Sequence, residues 1–193
     1  MAYYIPSHNL VFIHIPKTGG TSILHWIKNN FEYQKISAKH ATIFQWEKTI
    51  GHSANYFCVV RNPYHRILSW YHYQGKMLNY KKIKKSKFNR TEVKKLYESG
   101  INNAFNDIPN CMFNNYILKP QTRFFRSDIN FVLKQENLET DFKKIQDFTK
   151  CYKPLPFVNK SKNNNNISVL NDNTKYKIGL WYKKDFYHLG YNI

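Results

Sequence analysis

Acidic residues are scarce in this chain. Twelve Asp and Glu stand against 30 Lys and Arg, for a formal net charge of +18. That imbalance predicts attraction to polyanions: a nucleotide, a sulfated or carboxylated glycan, nucleic acid or an anionic membrane face. Cysteine is scarce too. Cys58, Cys111 and Cys151 are odd in number and show no metal-type spacing, which argues against a disulfide framework and for a reducing compartment. No grouping of side chains suggests a metal cluster, so no metal is expected. No apolar run approaches the roughly 20 residues that span a bilayer. Residues 1–6 lack the basic and apolar regions of a signal peptide, and a cytoplasmic location is the expectation. The Gly-Lys-Ser/Thr order of a Walker A loop is missing, as is a clear Walker B acid, which weighs against a P-loop nucleotide kinase or NTPase. No zinc-finger, RRM or helix-turn-helix signature supports the other alternative, a non-enzymatic basic module for nucleic acid. Nucleic acid is therefore not the expected partner.

Aromatic content of 17% and hydrophobic content of 42% describe a chain with a core to bury, and 193 residues predict a single domain over 1–193. Residues 10–15 form a nearly continuous apolar run, as in a strand covered on both faces. They lead into Pro16-Lys17-Thr18-Gly19-Gly20-Thr21-Ser22 and then a helix with Ile23, Leu24, Ile27 and Phe31 on one face. A buried strand, a glycine turn and a helix start make a cradle for an anionic phosphate. Backbone N–H groups converge on the anion and the lysine adds a point charge. Lys17 precedes the glycine pair, which again separates this loop from a Walker A loop.

A second strand–turn–helix unit follows. Tyr56 to Val60 is apolar; Arg61 stands at its end; Asn62 suits an N-cap and Pro63 the first helical position. Ser69 returns to the face of Asn62 two turns later, where it and Arg61 can grip one phosphate. Two phosphate grips suit a nucleotide phosphorylated at both ends.

Elsewhere the pattern is coarser. A short helix carries Ile43, Trp46 and Ile50, and the helix after Pro63 runs to about Gly75. Residues 76–95 are strongly basic, a candidate contact for an acidic polymer or a solvated insertion. A third strand is expected at 130–135, an amphipathic helix at 138–150 with Leu138, Phe142, Ile145 and Phe148 inward, a loop at 154–166 and a last helix at 174–187. His14 is expected inside the first strand as a core group, Cys58 as a small core hydrophobe, and Arg66 as a structural residue. Alternation of strands and helices predicts an α/β fold with a P-loop-like parallel β-sheet flanked by helices, its ligand beyond the carboxyl ends of the strands.

The Pro-Lys-Thr-Gly-Gly-Thr-Ser order after a strand resembles the 5′-phosphosulfate loop of sulfotransferases, and Arg-Asn-Pro-Tyr-x-Arg-x-x-Ser resembles their 3′-phosphate motif. The chain is similar over most of its length to sulfotransferase family 2, the carbohydrate sulfotransferase-like group with small soluble members. Weaker likenesses lie at Lys39-His40-Ala41-Thr42, Phe131-Val132-Leu133, Leu155-Pro156-Phe157-Val158-Asn159-Lys160-Ser161 and Asp185-Phe186-Tyr187-His188-Leu189-Gly190-Tyr191. The resemblance implies sulfuryl transfer from 3′-phosphoadenosine 5′-phosphosulfate (PAPS) to an acceptor hydroxyl, as of a carbohydrate, leaving PAP, with no metal. It implies that Lys17 stabilises charge on the bridging oxygen. Thr18, Gly19, Gly20, Thr21 and Ser22 would then hold the 5′-phosphate, and Arg61 and Ser69 the 3′-phosphate. Lys160 would close over the nucleotide, and His40 would take the acceptor proton. Glu32 and Glu47 are the carboxylate alternatives for the base.

Overall fold

A computed structural model describes residues 2–36, 41–51, 53–79, 90–107, 117–156, 158 and 166–193. The chain divides into two compact units, Met1–Arg61 with Pro120–Lys162, and Asn62–Lys119 with Asn163–Ile193.

The first unit holds one five-stranded sheet in the order β3-β1-β2-β4-β5. Its strands are β1 (Ala2–Ile5), β2 (Leu10–Ile13), β3 (Gln34–Ile36), β4 (Asn55–Val60) and β5 (Phe131–Lys134). β2, β4 and β5 run parallel, with Ile13 opposite Cys58 and Val60 opposite Lys134. β1 is antiparallel to both β2 and β3. The sheet is therefore mixed, which corrects the expectation of a parallel one. Two strands escaped the sequence pattern for physical reasons. β1 is four residues long and turns straight back through a short Pro6–His8 helix and Asn9, whose φ is 46°. β3 is a three-residue edge strand, Gln-Lys-Ile, with Gln34 and Lys35 exposed, the charged short edge that discourages further pairing.

Leu10 to Ile13 and Tyr56 to Val60 are buried throughout, as strands covered on both faces must be. Helix α1 (Gly20–Asn30) lays Ile23, Leu24, Trp26 and Ile27 onto this core beside Tyr3, Phe12 and Phe57. The Trp26 indole N–H donates to the Lys153 carbonyl at 2.8 Å, which ties the 150s segment to α1. Helix α2 (Ile43–Ile50) starts at Thr42 with a reciprocal capping box to Gln45. The expected helix at 138–150 is broken at Phe142 into Leu138–Asp141 and Lys143–Thr149. Phe142 and Ile145 are buried, but Phe148 is 36% exposed and meets Phe131 edge-on instead of entering the core.

The second unit is helical. It contains α3 (Pro63–Asn79), α4 (Arg90–Glu98), α5 (Ile101–Asp107) and the helices Asp172–Trp181 and Lys183–Leu189. The single last helix expected from sequence is thus two. Between them Tyr182 turns inward, fully buried, and donates its hydroxyl to the Leu118 carbonyl at 2.6 Å. Tyr64, Ile67, Leu68, Trp70, Phe105, Ile178 and Phe186 fill this core. α3 continues past Gly75 to Asn79. Arg66 is structural, as expected: its buried guanidinium donates to the carbonyls of Ile117 and Lys119. Among the described residues no helix is long and apolar enough to cross a membrane.

Candidate functional site

In the first unit β2 and β4 are parallel neighbours, so their carboxyl ends lie on the same sheet edge. Each runs into one of the two motifs singled out in the sequence. After β2 the chain turns through Ile15, whose N–H donates to the Ile13 carbonyl at 3.2 Å, and reaches Lys17. Lys17 has φ 69° and Gly19 has φ 84°, left-handed conformations on either side of Thr18. For a lysine that conformation costs about 1–2 kcal/mol, so the surroundings must impose it. Two contacts do so. The buried Thr18 hydroxyl donates to the Ile15 carbonyl at 3.0 Å, and the Arg61 guanidinium donates to the Lys17 carbonyl at 3.4 Å. Such alternation of backbone handedness makes a concave set of N–H groups, the geometry of an anion-binding nest. The loop then opens directly into α1, where the Ser22 N–H turns back onto the Gly19 carbonyl at 3.2 Å and the N–H groups of Gly20 and Thr21 have no acceptor within the helix.

Glycine is required at position 20. A Cβ there would lie 2.4 Å from His14 Cδ2 and 3.1 Å from Phe12 Cζ. His14 is thus not a core strand residue: β2 stops at Ile13, and the half-buried imidazole stacks on Phe12 beneath the loop. Gly19 is exposed on the rim, and its outer side is bordered by Gln135, just beyond the end of β5. Thr21 and Ser22 are half-buried in the first turn of α1, and the Ser22 hydroxyl oxygen accepts the Val158 N–H at 3.3 Å. Thr18 holds the turn through its buried hydroxyl, so its side chain supports the loop from inside.

Arg61 follows β4 directly. Its main chain is gripped by the buried Gln121 side chain: Oε1 accepts the Arg61 N–H at 2.9 Å, and Nε2 donates to the Arg61 carbonyl at 2.7 Å. The glycine loop and Arg61 are therefore joined by a direct hydrogen bond within one unit. Gln121 and Gln135 were missed in the sequence. No local pattern marks them, because their partners at 61 and 19 are far away along the chain.

In the second unit Asn62 caps α3 as expected, its side-chain oxygen accepting the Tyr64 N–H at 2.9 Å. Ser69 is half-buried on the same helix, and α3 is unbroken between them. His65 and His72 are half-buried on α3. Burial, and then the charge of Lys76, hold the His72 pKa below its usual value.

Glu47, one alternative base, is buried against Arg126 Nη1 at 2.6 Å and serves as an ion-pair partner there. A hydrogen bond from Arg126 lowers the Asp128 pKa, and the same bond raises that of Arg126. Glu32, the other alternative, is exposed. Cys58 is fully buried and burial pushes its thiol pKa up, as for an unreactive core residue. His40 and Lys160 lie outside the described residues, as do Lys39, Cys111, Phe157, Asn159 and 80–89 of the basic segment. Lys76, Lys94 and Lys95 of that segment are exposed, and Lys94 pairs with Glu98 at 3.7 Å. No group of side chains among the described residues could hold a metal ion.

A family model described as the Sulfotransferase family matches residues 2–192. No curated protein and no solved structure matches the chain.

Proposed function

Because the chain belongs to the sulfotransferase family, whose reaction is sulfuryl transfer, we propose that it moves the sulfuryl group of PAPS to a hydroxyl, that of a carbohydrate. The observation that carries this is the joined pair of grips at the ends of β2 and β4, Lys17 with its glycine loop and Arg61. The residues fit the donor. The left-handed turns at Lys17 and Gly19 supply backbone N–H groups for a 5′-phosphate, with Gly20, Thr21 and Ser22 at the helix start beside them.

The acceptor oxygen bonds to sulfur as the bond from sulfur to the 5′-phosphate oxygen breaks, and the acceptor proton leaves to a base. By analogy with phosphoryl transfer, the transition state is loose, so positioning and charge stabilisation dominate. Lys17 meets the charge that develops on the departing oxygen. Arg61, with Ser69 from the motif pattern, takes the 3′-phosphate. His40 takes the proton, since neutral imidazole is a competent base near neutral pH. Lys160 belongs to the nucleotide-binding set. Residues 1–193 act as a single transferase domain, and the basic stretch 76–95 contacts an acidic acceptor polymer. A cytoplasmic location belongs to the same proposal and rests on the odd cysteine set.

Thermal-shift titration with PAP and with ATP, at two salt concentrations, tests it. Stabilisation by PAP that survives the higher salt is expected. Equal stabilisation by ATP would favour a nucleotide kinase or NTPase. Stabilisation by any polyanion, lost in salt, would favour a basic nucleic-acid module. Incubation of labelled PAPS with classes of acceptor then identifies the hydroxyl.

A further inference from the structure

Gln121 is buried, and both atoms of its carboxamide are engaged on one residue. A carboxamide offers an acceptor and a donor side by side, as a neighbouring strand's peptide does. Arg61 stands where the β4 ladder ends, so Gln121 supplies one more rung after the last strand pair. The rung is itself anchored. Gln121 opens a short helical turn after Pro120, and the Phe124 N–H closes that turn onto the Gln121 carbonyl at 2.9 Å. The Phe124 carbonyl in turn accepts the Ile43 N–H at 2.8 Å, which ties the turn to α2. From this fixed main chain the Arg61 guanidinium reaches the Lys17 carbonyl. A buried amide is unfavourable unless both of its polar atoms are satisfied, and here both are satisfied by the same arginine.

We infer that Gln121 is a positioning residue that gives the site its preference for a nucleotide with a second phosphate, by fixing the Arg61 main chain before any ligand arrives. The inference rests on the assignment of Arg61 to the 3′-phosphate made above. Gln121 touches no ligand itself. It removes freedom from the arginine that does, so a nucleotide without the second phosphate gains only what Arg61 lends the loop through the Lys17 carbonyl, and gains less.

Calorimetry with PAP and AMP on the wild type, Gln121→Met and Gln121→Glu tests this, with melting temperatures taken alongside. Met keeps the volume and loses both hydrogen bonds. Glu keeps an acceptor for the Arg61 N–H and loses the donor to its carbonyl. The Met variant should lose about tenfold or more of the PAP-over-AMP preference, with AMP affinity changed by less than about threefold; the Glu variant should fall between. An undiminished preference in either folded variant overturns the inference, and so does an equal loss for both ligands, which would mark Gln121 as merely structural. Amide exchange on the wild type provides a readout without substitution. The Arg61 N–H should already be protected without ligand, and protection that appears only with PAP overturns pre-positioning. A wild type with no preference for PAP overturns the 3′-phosphate assignment and this inference together. A wild-type preference that the variants retain overturns this inference alone.

Discussion

The glycine loop after β2 and the seat of Arg61 after β4 begin at adjacent points of one sheet edge, yet they are held by different means. The loop's shape resides mostly in its own residues: left-handed Lys17 and Gly19, the Thr18 hydroxyl on Ile15, and a Gly20 with no room for a Cβ, with one contact from outside, that of Arg61. Arg61 has ordinary backbone and is held from outside, by a glutamine from a distant part of the chain. The lesson is that a local device leaves its mark in a contiguous motif, while a long-range device leaves almost none.

The two seats can be separated experimentally, starting with the chemistry proposed for the site. His40→Ala should lower kcat by roughly 10²–10⁴ with little change in PAP affinity, and the acidic limb of the pH–rate profile should vanish. A surviving limb would return attention to Glu32, since Glu47 is engaged with Arg126. Lys17→Ala should lower kcat by about 10²–10³. The half-buried lysine is not a core group, so the circular dichroism spectrum should stay native. More than about a tenth of wild-type kcat would contradict the role proposed for it at the developing charge.

Binding comes next. Arg61→Ala should weaken PAP by roughly 1.5–3 kcal/mol, more than it weakens AMP, and Ser69→Ala by less. Arg61→Lys sharpens the contrast. It keeps the charge and loses the planar fork, so it should restore only part of the affinity in calorimetry. Gly20→Ala attacks the loop without altering any charge. The new methyl would sit 2.4 Å from the His14 ring, so a loss of about 1–3 kcal/mol is expected in urea unfolding. His14→Ala in the same chain should recover most of it, because the two residues share the space.

Much of this molecule was legible in its sequence, and the division follows the same local-versus-distant line. β2, β4 and α1 were legible because buried strands show continuous apolar runs and amphipathic helices show their period, and β5, only partly buried, because Phe131-Val132-Leu133 is a short apolar run. Asn62 and Pro63 marked the start of α3, since capping acts through neighbours in the chain. β1 and β3 were not legible, because strands of four and three residues carry too few positions for a pattern. The break at Phe142 and the one at Tyr182 depend on side chains drawn into cores, a tertiary effect that overrides helical periodicity. At the site, Lys17 and the glycines could be found by eye. Gln121 could not, since nothing near it in the chain needs a buried amide.

The strand pairings also set an order of assembly. β1 and β2 are joined by a turn of a few residues, whereas β4 meets β5 only after the long intervening segment is closed. Loop-closure entropy opposes the second pairing far more than the first. The glycine loop grows from the early partner, and the amide clamp on Arg61 arrives only with the late one. Pulse-labelled exchange during refolding should therefore protect β1 and β2 amides before the amide of Arg61. A chain still emerging from the ribosome would carry its lysine loop well before the arginine beside it had a seat.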